Sequence, residues 1–352
     1  MGVILGVLFH FIGGFASGSF YLAFKGVKKW SWETYWIVGG LFSWLIVPPL
    51  AAILTVPGFA EIIKAADQRI FWLTYLMGLF WGVGGLTYGL GIRFLGMSLG
   101  NSVILGYCAA FGSLIPPIFY NFFPQEGKVT FSQMLASPGG QMVLLGVFVC
   151  LVGIFICGRA GMMKEKDLPQ ERKEESVKEF NLVKGLIVAT ISGILSACFN
   201  FGIEAGKPMA EAAVIQGFNP LFQNNVTYVV LLWGGLTTNM IWCIILNAKN
   251  KTFGDYTNAN SPLLKNYLFS AFAGTVWFLQ FFFYGMGESK LGNGASSWIL
   301  HMAFIIFISN MWGFVLNEWK GVNKKTFITI IAGILTIVAS VFIVGYGNSL
   351  AS

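Results

Sequence analysis

Few side chains in this sequence can exchange a proton or grip a hydroxylated ligand, and several of them stand where apolar residues would be expected. His10 and His301 are the only histidines, and each falls within a long apolar run. Glu204 is a carboxylate inside such a run rather than at its flank. An ionisable group placed there is costly and by default marks an ion or proton path. His10, Glu204 and His301 are therefore the candidate proton-coupling groups. Histidine titrates near neutrality, which suits a relay; the plainer alternative is a neutral imidazole bonded to a neighbouring helix. For Glu204 the plainer alternative is a rim ion pair with Lys207.

Helical spacing sorts the polar residues into stripes. His10, Gly14, Ser17 and Tyr21 form one, and Ser196, Asn200, Glu204 and Lys207 form another. Trp277, Gln280 and Tyr284 share a face at i, i+3 and i+7, and Trp298 precedes His301 by one turn. An aromatic ring covers the apolar C–H face of a sugar while an amide bonds its hydroxyls. Gln280, Trp277, Tyr284, Trp298, Ser17 and Asn200 are accordingly candidate sugar-binding residues. The competing reading is packing: aromatics are 16% of the chain, and a buried Asn is common glue between helices. Trp81 and Tyr88 join the candidates because they flank a small-residue stripe, Gly78, Gly82, Gly85 and Gly89, whose close packing would leave a cavity beside it.

Other chemistries find no support. The sequence has no GxxxxGK[ST] phosphate loop, no His/Cys cluster with metal-ligand spacing and no nucleophile with a paired base. All five cysteines lie in apolar runs without a CxxC pair, which disfavours disulfides and structural metal. No metal or cofactor is expected, and an ion gradient is the expected energy source.

The elements that must position these residues are membrane spans. The chain is 56% hydrophobic and 11% charged, against about a quarter charged in a soluble domain. A helix needs about 20 apolar residues to cross the hydrocarbon core. Ten runs qualify, near 3–24, 34–56, 70–92, 97–119, 139–158, 183–205, 225–247, 264–286, 295–316 and 326–346. The fold class is thus an all-α integral membrane protein. No basic residue precedes the first run, whereas Lys25 and Lys28 follow it; that is the reverse of a signal peptide, so the run is read as a mature helix.

Loop charge sets the orientation. The odd-numbered loops carry 17 of the 22 Lys and Arg residues, which predicts that they are cytoplasmic and both termini periplasmic. The net charge of +7 is then orientation charge, and nucleic acid is not an expected partner. A charged segment, 160–182, separates residues 1–159 from 183–352, with five spans on each side. An odd number per half makes the second half enter from the opposite face, so the halves are expected to be inverted repeats. Ile12-Gly-Gly-Phe-Ala-Ser-Gly-Ser-Phe20 can be laid on Ile191-Ser-Gly-Ile-Leu-Ser-Ala-Cys-Phe199, which superposes Gly14 on Gly193 and Ser17 on Ser196. Inverted repeats are typical of secondary transporters, with the substrate between the halves.

Several longer strings resemble those of the bacterial L-rhamnose-proton symporter family, in the family's order and across nearly the whole chain. They are Lys28-Lys-Trp-Ser-Trp-Glu-Thr34 with Gly39-Gly40, Gly89-Leu-Gly-Ile-Arg-Phe-Leu-Gly-Met-Ser-Leu-Gly100, Arg159-Ala-Gly161, Phe180-Asn-Leu182, Ala205-Gly-Lys-Pro-Met209, Trp277-Phe-Leu-Gln-Phe-Phe-Phe-Tyr284, Ser297-Trp-Ile-Leu-His-Met302 and Glu318-Trp319. The resemblance implies a ten-span carrier of the drug/metabolite transporter superfamily in the bacterial inner membrane. It would take up L-rhamnose, and L-lyxose or L-mannose, with a proton. Gln280, Trp277, Tyr284, Trp298 and His301 lie inside matching strings; Glu204 does not. The rival expectation is an exporter or exchanger of another small metabolite within the same superfamily.

Overall fold

The computed structural model describes residues 2–95, 97–125, 127–167, 182–316 and 319–351. Ten long helices carry it: α1 (Gly2–Phe24, broken once at Phe20), α2 (Trp32–Thr55), α3 (Gln68–Leu95), α4 (Met97–Phe122), α5 (Pro138–Asp167), α6 (Leu182–Ile215), α7 (Asn224–Asn250), α8 (Leu263–Leu291), α9 (Gly294–Val315) and α10 (Lys324–Ala351). All ten are long and apolar enough to cross a membrane, as the ten runs predict. No strand occurs among the described residues. In hydrocarbon every backbone N–H and C=O must be satisfied within the chain, and a helix does this one segment at a time. Leucine, isoleucine and phenylalanine therefore cover the outside, as Leu54, Phe155 and Phe342 do.

Several helices outrun the spans read from hydropathy. α5 continues through Asp167, into the segment expected to be a linker; the rest of that linker, 168–181, lies outside the described residues. α8 extends past 286 to Leu291. Hydropathy stops at the first charge, whereas a helix continues while its backbone bonds can be made.

Close crossings set the arrangement. α1 packs on α8 and α9, α6 on α3 and α4, α5 on α10, and α7 on α2 and α3. Glycines permit the closest approaches. A Cβ on Gly14 would collide with Phe304 of α9, and one on Gly193 with Tyr107 of α4. The Gly78 stripe divides: Gly78 and Gly82 press on α7 through Leu231 and Thr238, while Gly85 and Gly89 meet open space.

One wide turn matters for the interior. Pro48 and Pro49 supply no N–H to the carbonyls of the preceding turn, and Leu41–Ile46 winds as a π segment in which Val47 N–H reaches back to Phe42 O. Such bulges re-aim side chains, and here Trp44 is wholly buried.

Polar networks hold the helix ends. Near the start of α2, Glu33 accepts from Asn250 Nδ2 at 2.9 Å and from Thr252 Oγ1 at 2.8 Å. Ser31 N–H donates to Asp255 at 2.8 Å. The Asp167 carboxylate takes hydrogen bonds from Thr326 Oγ1 at 2.6 Å, Asn323 Nδ2 at 2.6 Å and Asn323 N–H at 3.0 Å, which ties α5 to the start of α10.

Candidate functional site

Four helices bring the polar residues of distant runs together. His10 comes from α1, Asn200 from α6, Gln280 and Tyr284 from α8, and Trp298 and His301 from α9. The approach depends on glycine: a Cβ on Gly13 would stand 2.9 Å from the Gln280 carbonyl and 3.1 Å from His301 Cε1. Across the same seam, a Cβ on Gly287 would stand 2.7 Å from His10 Nε2. Small residues at both points let the two rings meet.

Tyr284 is the hub. Its ring centroid lies 5.2 Å from His10, 5.2 Å from His301 and 5.9 Å from Trp298. The two imidazoles are 6.0 Å apart. The Tyr284 hydroxyl donates to Asn200 Oδ1 at 3.2 Å, and Asn200 Nδ2 donates to the Gly112 carbonyl at 2.8 Å. Trp298 Nε1 donates to the Cys108 carbonyl at 2.9 Å, which fixes that ring against α4.

These side chains are buried, yet several of their nitrogens are not engaged. Both ring nitrogens of His10, both of His301, and Gln280 Nε2 have no hydrogen-bond partner among the described residues. Buried polar atoms in proteins are almost always bonded. A cluster of donors and acceptors left over by the protein suits a ligand with many hydroxyls, since imidazole both donates and accepts and the amide donates twice.

An aromatic wall continues from this cluster. Trp277 stacks on Phe20 at 5.1 Å and lies 5.5 Å from Trp36, 5.3 Å from Trp44 and 5.9 Å from Trp81. Trp81 meets Phe199 at 5.0 Å, and Phe199 stacks on Phe281 at 4.2 Å and on Trp298 at 6.4 Å. Trp277 and Trp81 thus share one box, and Trp298 connects it to Tyr284.

The remaining candidates stand elsewhere. Ser17 is half-buried on α1, two turns from His10. Tyr88 packs beside Ile104 and Ala189 rather than with Trp81. Glu204 lies toward one end of the bundle, where its Oε2 takes a hydrogen bond from Tyr120 at 3.2 Å and an ion pair from Lys128 Nζ at 2.6 Å. Its partner is Lys128, not Lys207. The α4–α5 connection folds back over α6, a contact that spacing along α6 cannot reveal. Glu204, Lys128, Lys207, Tyr120 and Asn293 line a cleft, and Asn200 also lines it.

One further buried carboxylate escapes the sequence reading. Glu288 of α8 is 9% exposed and accepts from Asn224 Nδ2 at 2.6 Å. It continues the stripe of Gln280 and Tyr284 at i+4 and i+8, and ending that span at 286 hid it.

Ten apolar helices around a buried polar cluster, one member of which, Asn200, also lines a cleft, have the makings of an integral membrane carrier. The model of the L-rhamnose-proton symport protein (RhaT) family matches residues 1–350. The L-rhamnose-proton symporters of Yersinia pestis (strain Pestoides F) and Yersinia pseudotuberculosis serotype O:1b (strain IP 31758) are each 40% identical over 350 residues, 98% of this chain and 98% of theirs. This chain belongs to the L-rhamnose-proton symporter family. A solved crystal structure with 13% identity superposes with a TM-score of 0.50 over 99% of this chain and 96% of that one, so the fold has been seen before.

Proposed function

We propose that this protein takes up L-rhamnose together with a proton by alternating access, and that the sugar binds in the cluster around Tyr284. The observation that carries the reading is the meeting of His10, His301 and Gln280, whose buried nitrogens have no hydrogen-bond partner among the described residues, beside the aromatic surface of Trp298 and Trp277. L-Rhamnose offers hydroxyls to the first set and a methyl group and C–H faces to the second. Trp81 closes the far side of the box, and Asn200 orients the Tyr284 hydroxyl. Ser17 and Tyr88 would line the path from the cluster toward the opposite face. L-Lyxose and L-mannose, which share much of the hydroxyl pattern, are proposed as further substrates.

The helix contacts support two inverted halves, 1–159 and 183–352, joined by 160–182. Exchanging each helix number for the one five away maps α1 on α8 and α9 onto α6 on α3 and α4. The Gly14 crossing maps onto the Gly193 crossing. The excess of basic residues in the odd-numbered loops favours both termini in the periplasm of the bacterial inner membrane, and in that orientation the Glu204 cleft opens outward. Of the three proton candidates, Glu204 already has a cation, which suits a latch on that cleft. His10 and His301 lie where the sugar binds.

A thermal-shift screen of sugars tests the substrate. A bound ligand stabilises by RT ln(1 + [L]/Kd), about 2.7 kcal/mol at a hundredfold excess over Kd. L-Rhamnose should raise the melting temperature of the purified protein more than D-glucose does. A flat response to L-rhamnose with a clear response to an unrelated metabolite would favour the exporter or exchanger reading.

A further inference from the structure

Gln280, Tyr284 and Glu288 stand on one face of α8 at successive turns, so one rigid element carries two sugar-cluster residues and a buried carboxyl group. We propose that Glu288 is the binding site of the coupled proton, loaded from the end of the bundle at which the cleft opens. This rests on the symporter reading above.

Glu288 sits in the last turn of α8, where the backbone carbonyls gather negative charge, and it is buried there. Its hydrogen-bond partner is an amide, Asn224 at the start of α7. No Lys or Arg lies within ion-pair distance of it among the described residues. Glu204, by contrast, has Lys128. The ionisable groups facing Glu288 are Tyr228 from α7, Tyr284 from α8 itself, Glu204 and Lys207 from α6, and Lys128 from the α4–α5 connection. Two of the three charged ones, Lys128 and Lys207, line the cleft beside Glu204. When the halves open there, Glu288 exchanges a surrounding of tyrosine and amide for water and lysine. A group whose surroundings change that much between two states binds its proton differently in each, which is what coupling needs.

The link to sugar is mechanical. Tyr284, one turn from Glu288, holds Asn200 and touches both imidazoles. A sugar bonded to Gln280 and the histidines restrains the same helix whose position sets the surroundings of Glu288. Neither event can shift α8 without being felt by the other, and such coupling is reciprocal.

The test uses the full-length protein in proteoliposomes, with Glu288→Gln as a permanent mimic of the protonated acid. The parent should accumulate L-rhamnose under an inward proton gradient and make the external medium more alkaline when the sugar is added. In E288Q the sugar-triggered alkaline shift should vanish and accumulation should fall to equilibration, while downhill influx persists at a reduced rate. Parental accumulation or a persisting alkaline shift in E288Q overturns the proposal. So does loss of downhill influx in a correctly inserted variant, which would make Glu288 a sugar or packing residue. If E288Q does not insert, Glu288→Asp decides: it should move the pH midpoint of accumulation by about half a unit or more, and an unmoved profile overturns the proposal. Failure of the symporter reading itself would show in the parent, which would not accumulate at all.

Discussion

The Tyr284 hydroxyl donates to Asn200 Oδ1 at 3.2 Å, and Asn200 also lines the cleft beside Glu204. That hydrogen bond therefore joins a residue of the cleft to the buried cluster of two histidines and a glutamine. Tyr284→Phe removes the donor, keeps the ring against His10 and His301, and leaves the Asn200 acceptor unpaired. That costs about 1–3 kcal/mol of stability and loosens the ring that touches both imidazoles, so the half-saturating L-rhamnose concentration for uptake should rise severalfold. Unchanged saturation kinetics would exclude the Tyr284–Asn200 bond from the sugar path.

Gln280→Ala and His301→Ala should each insert normally and lose L-rhamnose uptake. Both side chains have buried nitrogens with no hydrogen-bond partner among the described residues, so truncation breaks none of the hydrogen bonds seen there and the fold survives. Membrane-fraction yield and labelled-sugar uptake check the two halves of the statement. Normal uptake by both variants would move the sugar site away from α8 and α9.

The glycines of α3 predict a contrast. Gly78→Ala would drive a methyl into the Leu231 backbone, whereas Gly85→Ala meets nothing within 4 Å. G78A should lower the melting temperature of the detergent-solubilised protein by several degrees, because overpacking typically costs about 1–3 kcal/mol. G85A should leave it level or slightly higher, since alanine is the better helix former. Equal melting temperatures would mean that α3 does not sit as tightly on α7 as the structure has it.

Acid should weaken the α5–α10 clasp. The hydrogen bond from Thr326, then those from Asn323, hold the Asp167 carboxyl below its ordinary value of 3.8. A lowered carboxylate value contributes stability that is full above the ordinary value and is lost as pH falls through the lowered one. The melting temperature of the parent should therefore drop below about pH 4 by more than that of Asp167→Asn. Parallel acid profiles for the two proteins would remove Asp167 from the account.

Much of the fold was legible because membrane spans follow one rule: about 20 apolar residues must bridge the hydrocarbon. His10, Tyr284, Trp298 and His301 were legible as candidates because polar or ring-bearing groups on helical stripes stand out against that background. What the sequence hid were contacts between runs far apart in the chain. The Lys128 partner of Glu204 lies 76 positions away, and the Trp36, Trp44, Trp81 and Trp277 box draws on three helices. Glu288 was hidden for a local reason: its charge marks the place where hydropathy ends a span, although the helix continues to Leu291.

The most direct test of proton-coupled rhamnose uptake is the accumulation of labelled L-rhamnose in proteoliposomes containing only this protein. An imposed inward proton gradient should drive the internal sugar above the external concentration, and a protonophore should return it to equilibrium. Accumulation that survives the protonophore, or sugar that never rises above equilibrium with the gradient in place, would contradict the account.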